Sequence, residues 1–233
     1  MKPRWAIVLL AAALSAKSLL GQGSQTQSPA AFAKPAQTRS PSSRSSANQS
    51  PDAGSVAGGL YRNPTFGFTC KIPEAWVLRT DEMNAPDGET QNQDAGKPAK
   101  NATGTARVLL AVFSRPPQAH GDDINSSILI AAESVLSYPG LTIAAQYMAT
   151  VAEIAKAQGL EAAEEPYEIA VGAKTLARGD FQKNVGARVM HQSTLVMLSH
   201  GYAVSFTFIG GTQDEVEELV EGLVFTAGNK SSR

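Results

Sequence analysis

The sequence predicts an α+β domain: a central antiparallel β-sheet flanked by helices, in an αβα sandwich, preceded by a signal peptide and a disordered linker. Three observations predict it. Four short apolar-alternating segments follow one another between Tyr167 and Ile209, separated by turn residues. Two segments, around 141–157 and 213–222, repeat their apolar residues at helical spacing. Between the N-terminal apolar stretch and Leu60, large apolar side chains are nearly absent.

The N-terminus reads as an export signal over residues 1–23. Lys2 and Arg4 precede an apolar run from Trp5 to Leu14, which Lys17 then interrupts. The run is far short of the ~20 residues that cross a bilayer. Cleavage fits after Ala16 or within Gly21-Gln22-Gly23, and retention as an uncleaved anchor is the alternative. Residues 24–59 are rich in Ser, Pro, Gln and Ala, with Phe32 as the single aromatic. Such a composition buries too little surface to offset the entropy of ordering, so a disordered linker is expected. The folded domain is expected over 60–227, and a disordered tail over 228–233.

Charge and cysteine content exclude several classes. With 20 Lys+Arg against 21 Asp+Glu, the chain lacks the basic excess of a nucleic-acid binder. One cysteine excludes a disulfide scaffold and a Cys-rich zinc module.

Within the domain, Phe66–Ile72 alternates and stops at Pro73, predicting a strand. Gly67, between two Phe residues, is expected to allow close approach of backbone or ring. Trp76 is expected as a core plug. Asp81–Thr105 is polar and aperiodic, predicting a long surface loop. Arg107–Ser114 is short and almost wholly apolar, which suits a strand buried on both faces. Ser127–Val135 is divided: Ile128-Leu129-Ile130 favours strand and Ala131-Ala132-Glu133 favours helix. Leu141–Ala157 predicts a helix with Ile143, Tyr147, Val151 and Ile154 as its buried stripe, ended by Gly159.

Four strands then follow in meander order, near Tyr167–Val171, Thr175–Gln182, Ala187–Leu198 and Tyr202–Ile209. In the last, Tyr202, Val204, Phe206 and Phe208 share one face. Ser199-His200-Gly201 is expected as a three-residue hairpin turn. Thr212 with Glu215 forms a capping box, and Val216, Leu219, Val220 and Leu223 make the stripe of a closing helix.

The segment Tyr61-Arg62-Asn63-Pro64-Thr65-Phe66-Gly67-Phe68, followed by Pro73-Glu74-Ala75-Trp76, resembles the opening of PsbP-like domains. Those domains typically begin with Tyr-x-Asn, a Phe-Gly-Phe strand and a Pro-x-Gly-Trp turn. The C-terminal end, from the Tyr-led strand through an acidic helix to Leu223-Val224-Phe225, is similar as well. The resemblance implies membership of the PsbP-like/DcrB-like superfamily, which also includes the Ran-binding Mog proteins. It implies an antiparallel sheet between helices and a binding or assembly role without catalysis. Ala75 departs from the usual Gly, and residues 81–105 form an insertion. No family binding motif has a counterpart, so no site residue is carried over.

No recognisable catalytic motif is present. His120, Asp122 and Asp123 are the only compact set of metal-ligand types, too few for an oxygen-rich cation site, and a solvated acidic turn is the expectation. His191 lies in a strand and His200 in a turn. Cys70 is expected as a buried, inert thiol. Asn48, Asn101, Asn125 and Asn229 match the glycosylation acceptor pattern.

The functional expectation is a secreted or periplasmic, non-catalytic binding or assembly module of the cell envelope, with no catalytic, cofactor or metal residue assigned. The expected partner is an envelope protein or peptide met through a sheet face or edge, with no nucleic acid and no stable membrane insertion. An envelope metal-binding protein using the acidic loop and an envelope hydrolase are the alternatives.

Overall fold

The computed structural model of the chain describes residues 50–85, 106–116, 119 and 123–225. The expected signal peptide, most of the linker, most of the 81–105 insertion and the tail lie outside the described residues.

In chain order the strands and helices are β1 (Ser55–Ala57), β2 (Leu60–Asn63), β3 (Phe68–Lys71), β4 (Val77–Leu78), α1 (Thr80–Asn84), β5 (Arg107–Phe113), β6 (Ser127–Ser134), α2 (Ala144–Ala157), β7 (Glu161–Ala162), β8 (Tyr167–Val171), β9 (Lys174–Val185), β10 (Arg188–Ser199), β11 (Tyr202–Gly210), α3 (Gln213–Glu221) and β12 (Leu223–Phe225). They form two antiparallel sheets. The large one has the order β4-β5-β6-β11-β10-β9-β7, with β8 also paired to β9. The small one has the order β1-β2-β3-β12.

The expected meander is present, from β8 to β11 by successive hairpins. β11 then pairs with β6, which resolves the divided Ser127–Val135 segment as a strand. Apolar residues sit at both parities of β6 because the sheet is covered on both faces.

The two faces have different covers. On one, the even residues Val204, Phe206 and Phe208 meet Phe68 and Cys70 of the small sheet and Val216, Leu219 and Val220 of α3. Phe68 stands edge-on to Phe206 at 4.9 Å between ring centres, and Phe225 packs against both. On the other face, Leu129, Val196 and Ala203 meet Tyr147, Met148, Val151 and Ala155 of α2. The architecture therefore differs from the expected sandwich: α2 covers one face, but a second sheet shares the other with α3. Two residues per strand turn inward from β2, β3 and β12, and a short sheet supplies wide aromatic cover from few residues.

Several local expectations are corrected. The domain begins before Leu60. Tyr61 Oη donates to Ala53 O (2.8 Å), Asn63 Nδ2 donates to Asp52 O (2.9 Å), and β1 pairs with β2. Gly54, at φ +68°, passes so close that a Cβ there would lie 2.5 Å from Arg62 O. Only glycine fits both that conformation and that space. The strand expected at Phe66–Ile72 starts at Phe68, since Phe66-Gly67 belongs to a turn. Asn63 Oδ1 accepts from Phe66 N, and Gly67 takes a positive φ of 72°, which is its reason for being glycine.

Trp76 is half-buried at the margin of the aromatic core and is not its plug. Ala75 adopts φ +64°, a left-handed position that ordinarily belongs to glycine. The polar segment after Arg79 begins as α1, not as loop. Asn84 fastens it through Nδ2 to Val108 O (2.8 Å) and Oδ1 from Val108 N (3.1 Å).

α2 starts at Ala144, so Ile143 is left 56% exposed. The buried stripe shifts to include Met148 and Ala155, because Met148 seats over Gly179, where a Cβ would meet its Sδ at 2.9 Å. The β10–β11 turn has two residues, with positive φ at both His200 and Gly201, and Ser199 pairs directly with Tyr202. In α3, Thr212 Oγ1 accepts from Glu215 N (3.1 Å) as expected. Glu215 Oε2 accepts from Gly211 N (2.8 Å), one residue earlier than a standard box. Leu223 lies in β12, beyond the helix whose stripe it was expected to extend.

Candidate functional site

Between α2 and the large sheet lies a small cleft of about 50 Å³. Its origin is legible in the side chains. α2 contacts β9, β10 and β7, and α1 contacts β5. Over β6 and β11 the sheet presents short residues on this face: Ala131, Ala203, Ser205 and Thr207. Short side chains opposite a helix that leans to one half of the sheet leave a gap.

The cleft is apolar on its walls and polar on its floor. Leu129, Val151 and Ile154 line it, together with Thr194, Ser205 and Thr207. Thr194 and Thr207 are cross-strand partners, their hydroxyls 3.2 Å apart, and Gln192 Nε2 donates to Thr194 Oγ1 at 3.2 Å. These groups sit on strands, so their positions are fixed by the ladder.

Glu133 also lines the cleft. It is 3% exposed at the end of β6. Its Oε2 accepts from the hydroxyls of Tyr138 and Tyr147, each at 2.9 Å, and the two rings meet edge-on at 5.3 Å. Burial pushes both phenols well above their ordinary value, and the Glu133 carboxylate beside them pushes them further. They therefore stay protonated and serve as donors to the carboxylate. Among the described residues no cation pairs with Glu133, and its Oε1 has no donor.

The residues singled out by sequence lie elsewhere. His191 shares its parity with Ser193 and Leu195, so it points to the face opposite the cleft. His200 sits in the exposed turn, with Nδ1 2.9 Å from Ser199 Oγ. Cys70 is wholly buried in the aromatic core, and desolvation pushes its thiol up to about 12, so it is inert as a nucleophile. His120 and Asp122 lie outside the described residues. Asp123 is exposed, with its carboxylate 2.7 Å from Arg188 Nη2 and its backbone oxygen bonded to Arg115. No cluster of three His, Cys, Asp or Glu among the described residues is placed to hold a metal. Of the glycosylation-pattern residues, Asn125 is described; its Oδ1 accepts from Ser114 Oγ and its Nδ2 donates to Arg115 O.

A second polar cluster fastens α3 to the sheet. Arg178, 5% exposed, donates through Nε to Asp180 (3.0 Å) and through Nη1 to Glu217 (3.0 Å), with the Tyr167 ring 5.9 Å away. Burial alone would lower the guanidinium's pKa; Glu217 and Asp180 outweigh it and hold it above its ordinary value. This network joins β9 to α3.

Glu133 and the hydroxyl floor were not singled out from sequence. The available signal was the parity of β6: Leu129, Ala131 and Glu133 share a face, so a strand otherwise apolar carries one acid inward.

Fold and cleft together define the class: a two-sheet antiparallel α+β domain with a helix-roofed cleft. No family model matches the chain, and no curated protein matches it. Solved structures similar to it include cyanobacterial PsbP (CyanoP) from Synechocystis sp. PCC 6803, at 13% identity and a TM-score of 0.43, covering 74% of this chain and 98% of that one. LpqN, involved in cell envelope biogenesis of Mycobacterium tuberculosis, is 12% identical with a TM-score of 0.34, covering 69% and 83%. PA94 of Pseudomonas aeruginosa is 17% identical with a TM-score of 0.32, covering 68% and 85%.

Proposed function

We propose that the chain is an exported, envelope-associated binding module without catalysis, whose ligand site is the cleft beneath α2. The observation that supports this is the cleft's construction: apolar walls around polar groups fixed on strands and on a helix, the usual make-up of a ligand site. A hydrolase of the Ser–His kind would set a histidine beside a hydroxyl, and His191 lies across the sheet from Ser205 and Thr207. The expected protein or peptide partner would instead use the β8 edge, which among the described residues pairs only with β9. Among the described residues, no helix is long and apolar enough to cross a membrane.

The test has two parts. Intact mass of the chain recovered from the envelope fraction should show a processed product; a full-length cytosolic product refutes export. The small-molecule fraction of that envelope should raise the thermal midpoint of the purified protein. Ser205→Leu, which fills the cleft from its floor, should abolish the rise. An equal rise in the variant moves the ligand site elsewhere.

A further inference from the structure

The cleft joins three features that together specify a ligand chemistry. It holds a carboxylate, Glu133, that is almost wholly buried yet has no cationic partner among the described residues. Both tyrosine hydroxyls lie 2.9 Å from one oxygen, Oε2, and bond to each other as well, while Oε1 has no protein donor among the described residues and is not sealed off. The walls beside it, Leu129, Val151 and Ile154, are aliphatic. A buried carboxylate is retained where something compensates it, and two neutral hydroxyls compensate it only in part.

We propose that the cleft binds a small primary alkylammonium compound, with its ammonium on Glu133 and its alkyl stem along the aliphatic wall. This deepens the binding-module reading and rests on it. A metal ion is the wrong occupant. Calcium takes six to eight oxygen ligands, and the cleft offers one carboxylate with a few hydroxyls. Zinc wants nitrogen or sulfur, and His191 and Cys70 lie on the other face. An ammonium needs fewer partners: three N–H donors meet Glu133 Oε1, hydroxyl oxygens or water. The aliphatic wall distinguishes an alkylammonium from a bare inorganic cation, which gains nothing from it.

The experiment titrates the full chain with n-butylammonium, with n-butanol as an uncharged probe of similar shape, and with Na⁺ at equal ionic strength, following backbone amide shifts. Saturable shifts on α2, β6 and β11 are expected with n-butylammonium. Its affinity should be roughly tenfold to a hundredfold above that of n-butanol, the difference a charge-assisted hydrogen bond supplies. Na⁺ should give no localised shift. Glu133→Gln keeps the shape and an acceptor for the tyrosines, and should bring n-butylammonium down to the n-butanol level. Equal binding of the two organic probes to the wild type overturns the ammonium assignment but leaves the cleft as a binding site. Shifts from neither overturn both readings. If Glu133→Gln fails to fold, the wild-type comparison of the two probes still decides. Unchanged n-butylammonium binding in a folded Glu133→Gln refutes Glu133 as the anchor.

Discussion

Truncation at residue 49 and truncation at residue 59 should give domains of very different stability. Composition places both cuts in the linker, yet β1 and the segment before it are docked. Removing 1–59 deletes Ala53 O, the acceptor for Tyr61 Oη, and Asp52 O, the acceptor for Asn63 Nδ2. It also deletes Gly59 O, which accepts from Ile72 N at 2.8 Å. Tyr61 and Asn63 are 1% and 0% exposed in the intact domain. A buried polar group stripped of its partner costs about 1–3 kcal/mol, and water reaching the uncovered groups keeps each loss near the low end. Over three groups the loss is roughly 2–4 kcal/mol, which for a domain of this size lowers the thermal midpoint by about 4–16 °C. Removing 1–49 should leave the midpoint within about 1 °C of the full chain, since 1–23 is read as an export signal outside the fold and 24–49 has almost nothing to bury. Calorimetry of both truncations against the full chain decides it. Equal midpoints for the two truncations would refute the docking of 50–59.

Three further outcomes are expected. Ala75→Gly should stabilise by about 0.5–1 kcal/mol: it relieves the ~1–2 kcal/mol of a left-handed alanine and returns ~0.4–1 as unfolded-state entropy; a lower urea midpoint would contradict the strain. Thr212→Ala should cost about 1 kcal/mol by urea unfolding, since it removes the acceptor for Glu215 N; an unchanged midpoint means the Glu215–Gly211 contact suffices. The thiol of Cys70 is raised to about 12 by desolvation, so folding favours its protonated form. That contribution is complete below the ordinary thiol value near 9 and is lost as pH climbs toward 12, and Tyr61, also raised to about 12 by burial, acts with the same sign. Urea-measured stability should therefore fall from pH 9 upward, less steeply in Cys70→Ala; identical slopes in the two proteins would exclude the thiol as a contributor.

Which elements were legible in sequence follows from where their determinants lie. The last strand of the meander showed as alternation, because Val204, Phe206 and Phe208 put its large apolar side chains on one face. The start of α3 showed because Thr212 and Glu215 are three residues apart and act locally. β1 did not show. Ser55-Val56-Ala57 has the composition of the linker before it, and its place depends on Tyr61 and Asn63 reaching back to Asp52 and Ala53. α1 likewise depends on Asn84 meeting β5 across the insertion. The cleft was hidden for a related reason. Thr194, Ser205 and Thr207 look like solvent-facing residues between apolar ones, and only the offset of α2 turns that face into a floor. Glu133 follows two alanines that favour a helix, and its meaning appears only once β6 is known to pair with β11.

The pairing of β12 with β3 has a consequence for the order in which the molecule acquires its shape. Leu223 lies opposite Cys70, and Phe225 opposite Phe68, so strands from the two ends of the domain share one ladder. Phe206 finds its aromatic cover only when that ladder closes. A ribosome must therefore release nearly the whole domain before the larger core can be completed, and contacts of such long sequence separation form slowly. If the chain is exported as proposed and crosses a membrane as an extended thread, this is a built-in delay. The meander can form early, but the state that would resist threading waits for the last strand. Shortening the distance between β3 and β12, as a circular permutant begun between β9 and β10 would do, should speed closure and work against export.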